Sequence, residues 1–108
     1  MYALYRMSRR TYKQQFNAKY NQPLDQSNSI EDISRLTGYQ LKGLKTIFEK
    51  GEGAYYSNPQ SVRKGITSPQ QWAYARLYAA VNPLSKAHKI DKVHLVMGFR
   101  DMFWLNRI

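Results

Sequence analysis

A chain of 108 residues holds one domain with a modest core, and 43% hydrophobic residues with nine Tyr, four Phe and two Trp exclude a disordered polymer. Seventeen Lys and Arg against seven Asp and Glu give a formal net charge of +10, a self-repelling balance that suits an acidic partner: nucleic acid, an anionic membrane surface or an acidic protein. The absence of Cys removes disulfides and thiolate metal sites, the two His residues (His88 and His94) do not share a helix face, and no apolar run approaches the ~20 residues of a membrane span, so neither cofactor, metal nor membrane is expected.

Residues 1–20 carry Arg6, Arg9, Arg10, Lys13 and Lys19 and no acid. Ser8 is placed to cap a helix starting at Arg9, and Tyr12, Phe16 and Tyr20 recur at helical spacing as one aromatic stripe. The result is a basic amphipathic N-terminal helix, either docked by its stripe with its charges solvated or reaching a nucleic acid. Residues 21–29 are polar, contain Pro23 and read as a loop. Ser29-Ile30-Glu31-Asp32 then opens a short helix over 30–36 with acids in its first turn. Thr37-Gly38 interrupts it, and a second helix is expected over 39–50, with Leu41, Leu44, Ile47 and Phe48 on one face and Gly51 at its stop.

Residues 51–68 show no helical period and read as a long loop, which Tyr55, Tyr56, Val62 and Ile66 could pin to the core. The clearest helix start follows, with Ser68 as N-cap, Pro69 at the first helical position and Gln71 completing a capping box. That helix is expected over 69–81, ended by Asn82-Pro83, and its many alanines suit the central position in the fold. Residues 84–90 read as a basic loop, with Asp91 capping a short helix that reaches Met97. Any strand would be short, within 52–57 or 93–97. The expected fold is mainly α: a small single-domain helical protein with a helix-turn-helix-like pair and a long central loop. Residues 1–20 form the basic N-terminal helix, 30–97 the core and 98–108 an aromatic C-terminal tail, whose Phe99, Phe103 and Trp104 are candidates for docking on the domain or a partner.

Candidate contacts with nucleic acid fall in three places. In a helix-turn-helix the early residues of the second helix read base edges, which gives Gln40 a possible adenine contact and Lys42 and Lys45 guanine or phosphate contacts. Short helix pairs joined by Thr-Gly are also frequent in plain helical domains. Arg63 and Lys64 sit in the loop ahead of a helix N-terminus, with Tyr55 and Tyr56 able to stack on bases. Arg9, Arg10 and Lys13 belong to the N-terminal helix. Arg63 and Arg76 have a structural alternative, hydrogen bonding to loop carbonyls. No paired carboxylates, His-Glu metal spacing or Gly-x-Ser-x-Gly elbow is present, so the chain is not expected to be an enzyme.

Ser34-Arg35-Leu36-Thr37-Gly38, Gly51-Glu52-Gly53-Ala54-Tyr55-Tyr56, Asn58-Pro59-Gln60-Ser61-Val62-Arg63-Lys64-Gly65 and Ser68-Pro69-Gln70-Gln71-Trp72-Ala73-Tyr74-Ala75-Arg76 carry a resemblance over residues 33–95. The chain resembles an uncharacterised domain of tailed bacteriophages and of large DNA viruses of algae and amoebae. Lys64 departs from the pattern, where many relatives are expected to carry proline. The resemblance implies a virus-encoded protein and brings no activity with it. Two readings stay open for its function: a viral nucleic-acid-binding protein, most simply of DNA, or a virion component (minor capsid, cement or head–tail protein) facing packaged genome or an acidic shell protein. A phage-made inhibitor of a host protein is a third. The place of action would be the host cytoplasm during infection, the virion, or both.

Overall fold

The first turn of the described residues is fixed by a hydroxyl. In the computed structural model, which describes residues 10–58, 65–66 and 68–97, the Thr11 side chain accepts the Gln14 N–H at 3.1 Å, and the Gln14 side chain accepts the Thr11 N–H at 3.2 Å. This reciprocal capping box starts helix α1 (Tyr12–Lys19). The helix therefore begins three residues after Arg9, where the sequence reading had placed it; Ser8 and Arg9 lie outside the described residues. A second box, Ser29 with Asp32, starts α2 (Ile30–Thr37), and Gly38 ends it in the left-handed region at φ 84°.

Helix α3 (Leu41–Ser57) departs most from expectation. It starts two residues after position 39, because Tyr39 forms an isolated antiparallel bridge with Met97. It then runs through Gly51 and Gly53, so the stop at Gly51 and the loop from 51 are both corrected. Gly51 is a packing residue: a Cβ there would lie 2.8 Å from the Ala73 Cα of the next helix. Tyr55 and Tyr56 accordingly stand on the last turns of a helix, their rings 5.5 Å apart, and Tyr56 is exposed and pins nothing. The possible strand within 52–57 is likewise helix.

Helix α4 (Pro69–Ala80) follows the sequence reading to within one residue, with the Ser68 hydroxyl accepting the Gln71 N–H and Pro69 in the first turn. Residues 84–90 are not a loop. Ser85 caps α5 (Lys86–Asp91), and its hydroxyl also donates to the Ala79 carbonyl. Asp91 is the last residue of that helix and also stands at the N-cap position of a 3-10 turn (Lys92–His94), but its carboxylate caps no N–H there, and the turn ends short of Met97.

Helix α4 is the hub. It packs against α3, α5 and α1, and it supplies Leu77, Tyr78 and Ala80 to a core completed by Phe16, Ile33, Leu44, Ile47 and Val81. Phe16 meets Tyr78 edge-on at 5.3 Å and Tyr20 at 4.8 Å, so the aromatic stripe of α1 docks on α4. Arg76 on α4 grips the fully buried Asp91 through two bonds, Nε to Oδ2 at 3.2 Å and Nη2 to Oδ1 at 3.0 Å. Arg76 is thus structural, as the sequence allowed, but its partner is a carboxylate and not loop carbonyls. The architecture is a mainly α single domain, with no strand longer than a bridge among the described residues.

Two backbone approaches leave no room for a side chain. At Gly43 a Cβ would lie 1.8 Å from the His94 carbonyl oxygen, and at Gly51 it would press on Ala73; Gly53 faces open space. Gly43→Ala and Gly51→Ala are each expected to destabilise the fold by about 1–3 kcal/mol, whereas Gly53→Ala should stabilise it by about 0.5–1 kcal/mol, all read from urea unfolding. Asp91→Ala, which strands the Arg76 guanidinium, is expected to lower stability by about 3–5 kcal/mol in the same assay.

Candidate functional site

Between the start of α1, the chain entering α2 and the first half of α4 lies a half-open groove of about 730 Å³. Arg10 lines it from just ahead of α1, Tyr12 and Lys13 from the first turn of α1, Ser27 and Asn28 from the connection, and Tyr74 and Tyr78 from α4. No Asp or Glu is among the described residues that line it. Arg10 is held by its backbone: the Gln15 side-chain amide donates to the Arg10 carbonyl at 2.9 Å, and Asn82 in turn donates to Gln15 at 2.9 Å.

The floor is an amide knot that the sequence does not announce. Buried Asn17 donates to the carbonyls of Leu24 at 2.8 Å and Gln26 at 3.0 Å. Its own oxygen accepts from Gln22 and from Asn28, both at 2.9 Å. Asn28 then donates to the Tyr78 hydroxyl at 3.1 Å. Residues 21–29 are irregular but fastened, with Asn21 taking φ 57°, as asparagine tolerates. Burial pushes the Tyr78 phenol above its ordinary value, and the Asn28 amide partly offsets this. The O–H proton of Tyr78 meets no acceptor among the described residues. Tyr74 is braced edge-on against Phe48 of α3 at 4.8 Å.

The other candidate residues stand apart from this groove. Gln40 precedes α3, with its backbone N–H on the Val96 carbonyl at 2.7 Å and its side-chain amide on the Met97 carbonyl at 3.1 Å. The entrance to α3 is thereby covered by residues 96–97. Lys42 and Lys45 are exposed on the outer side of the same helix. Lys50 lies 3.3 Å from the His94 ring, while His88 meets the Ala80 carbonyl at 2.9 Å, so the two histidines belong to different neighbourhoods. No group of three or more His, Asp or Glu able to hold a metal occurs among the described residues. Arg9, Arg63, Lys64, Phe99, Phe103 and Trp104 lie outside the described residues. Of the sequence candidates, the structure brings together Arg10 and Lys13. It adds Tyr12, Asn28, Tyr74 and Tyr78, which sequence reasoning had not assigned to a site.

Residues 3–94 match a family of unknown function, DUF5824, and the chain belongs to that family. No curated protein and no solved structure matches it.

Because the folded Tyr78 and Tyr20 phenols are raised by burial above the unfolded value near 10.0, the unfolded chain loses these protons first. Their contribution is complete below about pH 10 and is lost as pH rises through the folded values. Unfolding free energy at constant ionic strength is expected to fall over that alkaline range, and less steeply in Tyr78→Phe than in the native chain.

Proposed function

We propose that this DUF5824 member binds nucleic acid, chiefly through phosphates and without catalysing a reaction. The observation that carries the reading is the excess of surface cations over the acids available to pair with them. Among the described residues the ion pairs are Arg35 with Asp32 and Arg76 with Asp91, which join cation to anion and leave the positive excess intact. Lys42, Lys45, Lys86, Lys89 and Lys92 are exposed and make no ion pair among the described residues. Unpaired surface cations in this excess displace condensed counterions from a polyanion, which gives affinity with little sequence preference. The bond from the Gln40 amide to Met97 favours Lys42 and Lys45 as phosphate contacts over base reading by the start of α3.

A second reading is a role in a virus particle, packed against shell protein. It is favoured by the exposed apolar side chains of Leu84, Ile90 and Val93 around α5.

Anisotropy of labelled single-stranded and duplex DNA, titrated across a range of salt, tests the first reading. Affinity should fall steeply with salt, and Lys42→Ala with Lys45→Ala should weaken duplex binding across unrelated sequences and reduce the log–log salt slope by about one per lysine. Absence of binding at low salt would overturn it and favour the particle.

A further inference from the structure

The groove beside α1 differs in kind from the outer face of α3. Lys42 and Lys45 offer charge on a convex helix surface. The groove offers charge, rings and a hydrogen-bond donor inside a concavity. A second hollow of about 340 Å³ is lined by Phe16, Lys19, Tyr20, Tyr78 and Leu84 among others. Tyr12 and Tyr78 line both hollows, and Tyr12 is 40% exposed. Cations flank both sides, Arg10 and Lys13 on one and Lys19 on the other.

We propose that these two hollows form a track for single-stranded nucleic acid, with a base stacked on Tyr12 and phosphates met by Arg10 and Lys13. The inference rests on the nucleic-acid reading and narrows it to one surface and one strand state. A duplex keeps its bases stacked inside and presents only its backbone and groove edges, so it offers no free base face to the Tyr12 ring. An unpaired base has a free face, and aromatic stacking on it tolerates any sequence. The Tyr78 O–H, held by the Asn28 amide and without an acceptor among the described residues, is a donor for a base edge or sugar oxygen entering the groove. The amide knot beneath and the edge-on packing of Tyr74 on Phe48 hold the walls in place before anything binds, which lowers the ordering penalty on binding.

The test uses the full chain with a labelled oligothymidine single strand and a duplex of equal length. Tyr12→Leu should weaken single-strand binding roughly tenfold, within the range of one lost stacking contact. It should leave duplex binding unchanged, and Tyr12→Phe should retain single-strand binding. Thermal melting verifies that each variant folds. Lys13→Gln, which leaves every ring in place, should reduce the salt slope for the single strand by about one. Unchanged single-strand affinity in Tyr12→Leu, or an equal loss in Tyr12→Phe, overturns the stacking track while the general reading stands. Failure of the native chain to bind either strand type at low salt overturns both.

Discussion

The fold depends on how closely α3 and α4 cross. Gly51 lets the α3 backbone lie against Ala73, and the space that a Cβ at position 51 would enter also borders the Arg76 Cδ, 3.5 Å from it. The crossing therefore runs beside the Arg76 stem. Its guanidinium reaches Asp91, and that ion pair fastens α5 to α4. The returning chain then crosses α3 at Gly43, where its carbonyl occupies the place of a side chain. Two missing methyl groups on one helix thus make room for the neighbours that the C-terminal end of the described structure packs on. Arg76 and Asp91 are bound in two places and one is fully buried, so their main effect is on geometry: a desolvated pair adds little net stability, yet neither partner can be left alone.

The sequence exposed most of this fold where local chemistry decides structure. Ser29, Gly38, Ser68 and Pro69 mark helix ends by groups that satisfy or release backbone hydrogen bonds, and each acts as its residue type implies. The Thr11 to Gln14 box was equally readable, but Ser8 three residues earlier offered a competing cap. Residue type misleads where a residue serves a distant neighbour. Gly51 looks like a terminator because glycine is common there, and only the position of Ala73 shows that it is an approach site. Asp91 looks like a cap because it is acidic and precedes a turn, whereas its partner is fifteen residues back on another helix.

The candidate site was legible only in part for the same reason. Arg10 and Lys13 stood out as cations on an aromatic helix. The groove around them is assembled from Asn28, Tyr74 and Tyr78, separated by long stretches of chain and individually unremarkable. Asn17, Gln22 and Asn28 look like ordinary loop polarity until their amides are seen bonded to one another. Polar residues of this kind carry no periodic signal, so a buried amide cluster is nearly invisible to pattern reading.

That cluster also fixes when the groove can exist during synthesis. Its floor requires a bond between Asn28 and Tyr78, fifty positions apart, and its anchor at Arg10 runs through Gln15 to Asn82, sixty-seven positions apart. Helix α1 and its cap can form as soon as they leave the ribosome, since their bonds are local. The groove closes only after α4 has emerged to Asn82. A nascent chain therefore displays its basic arm long before it owns the cavity beside it, and an interrupted product lacking α4 keeps the charge without the shape.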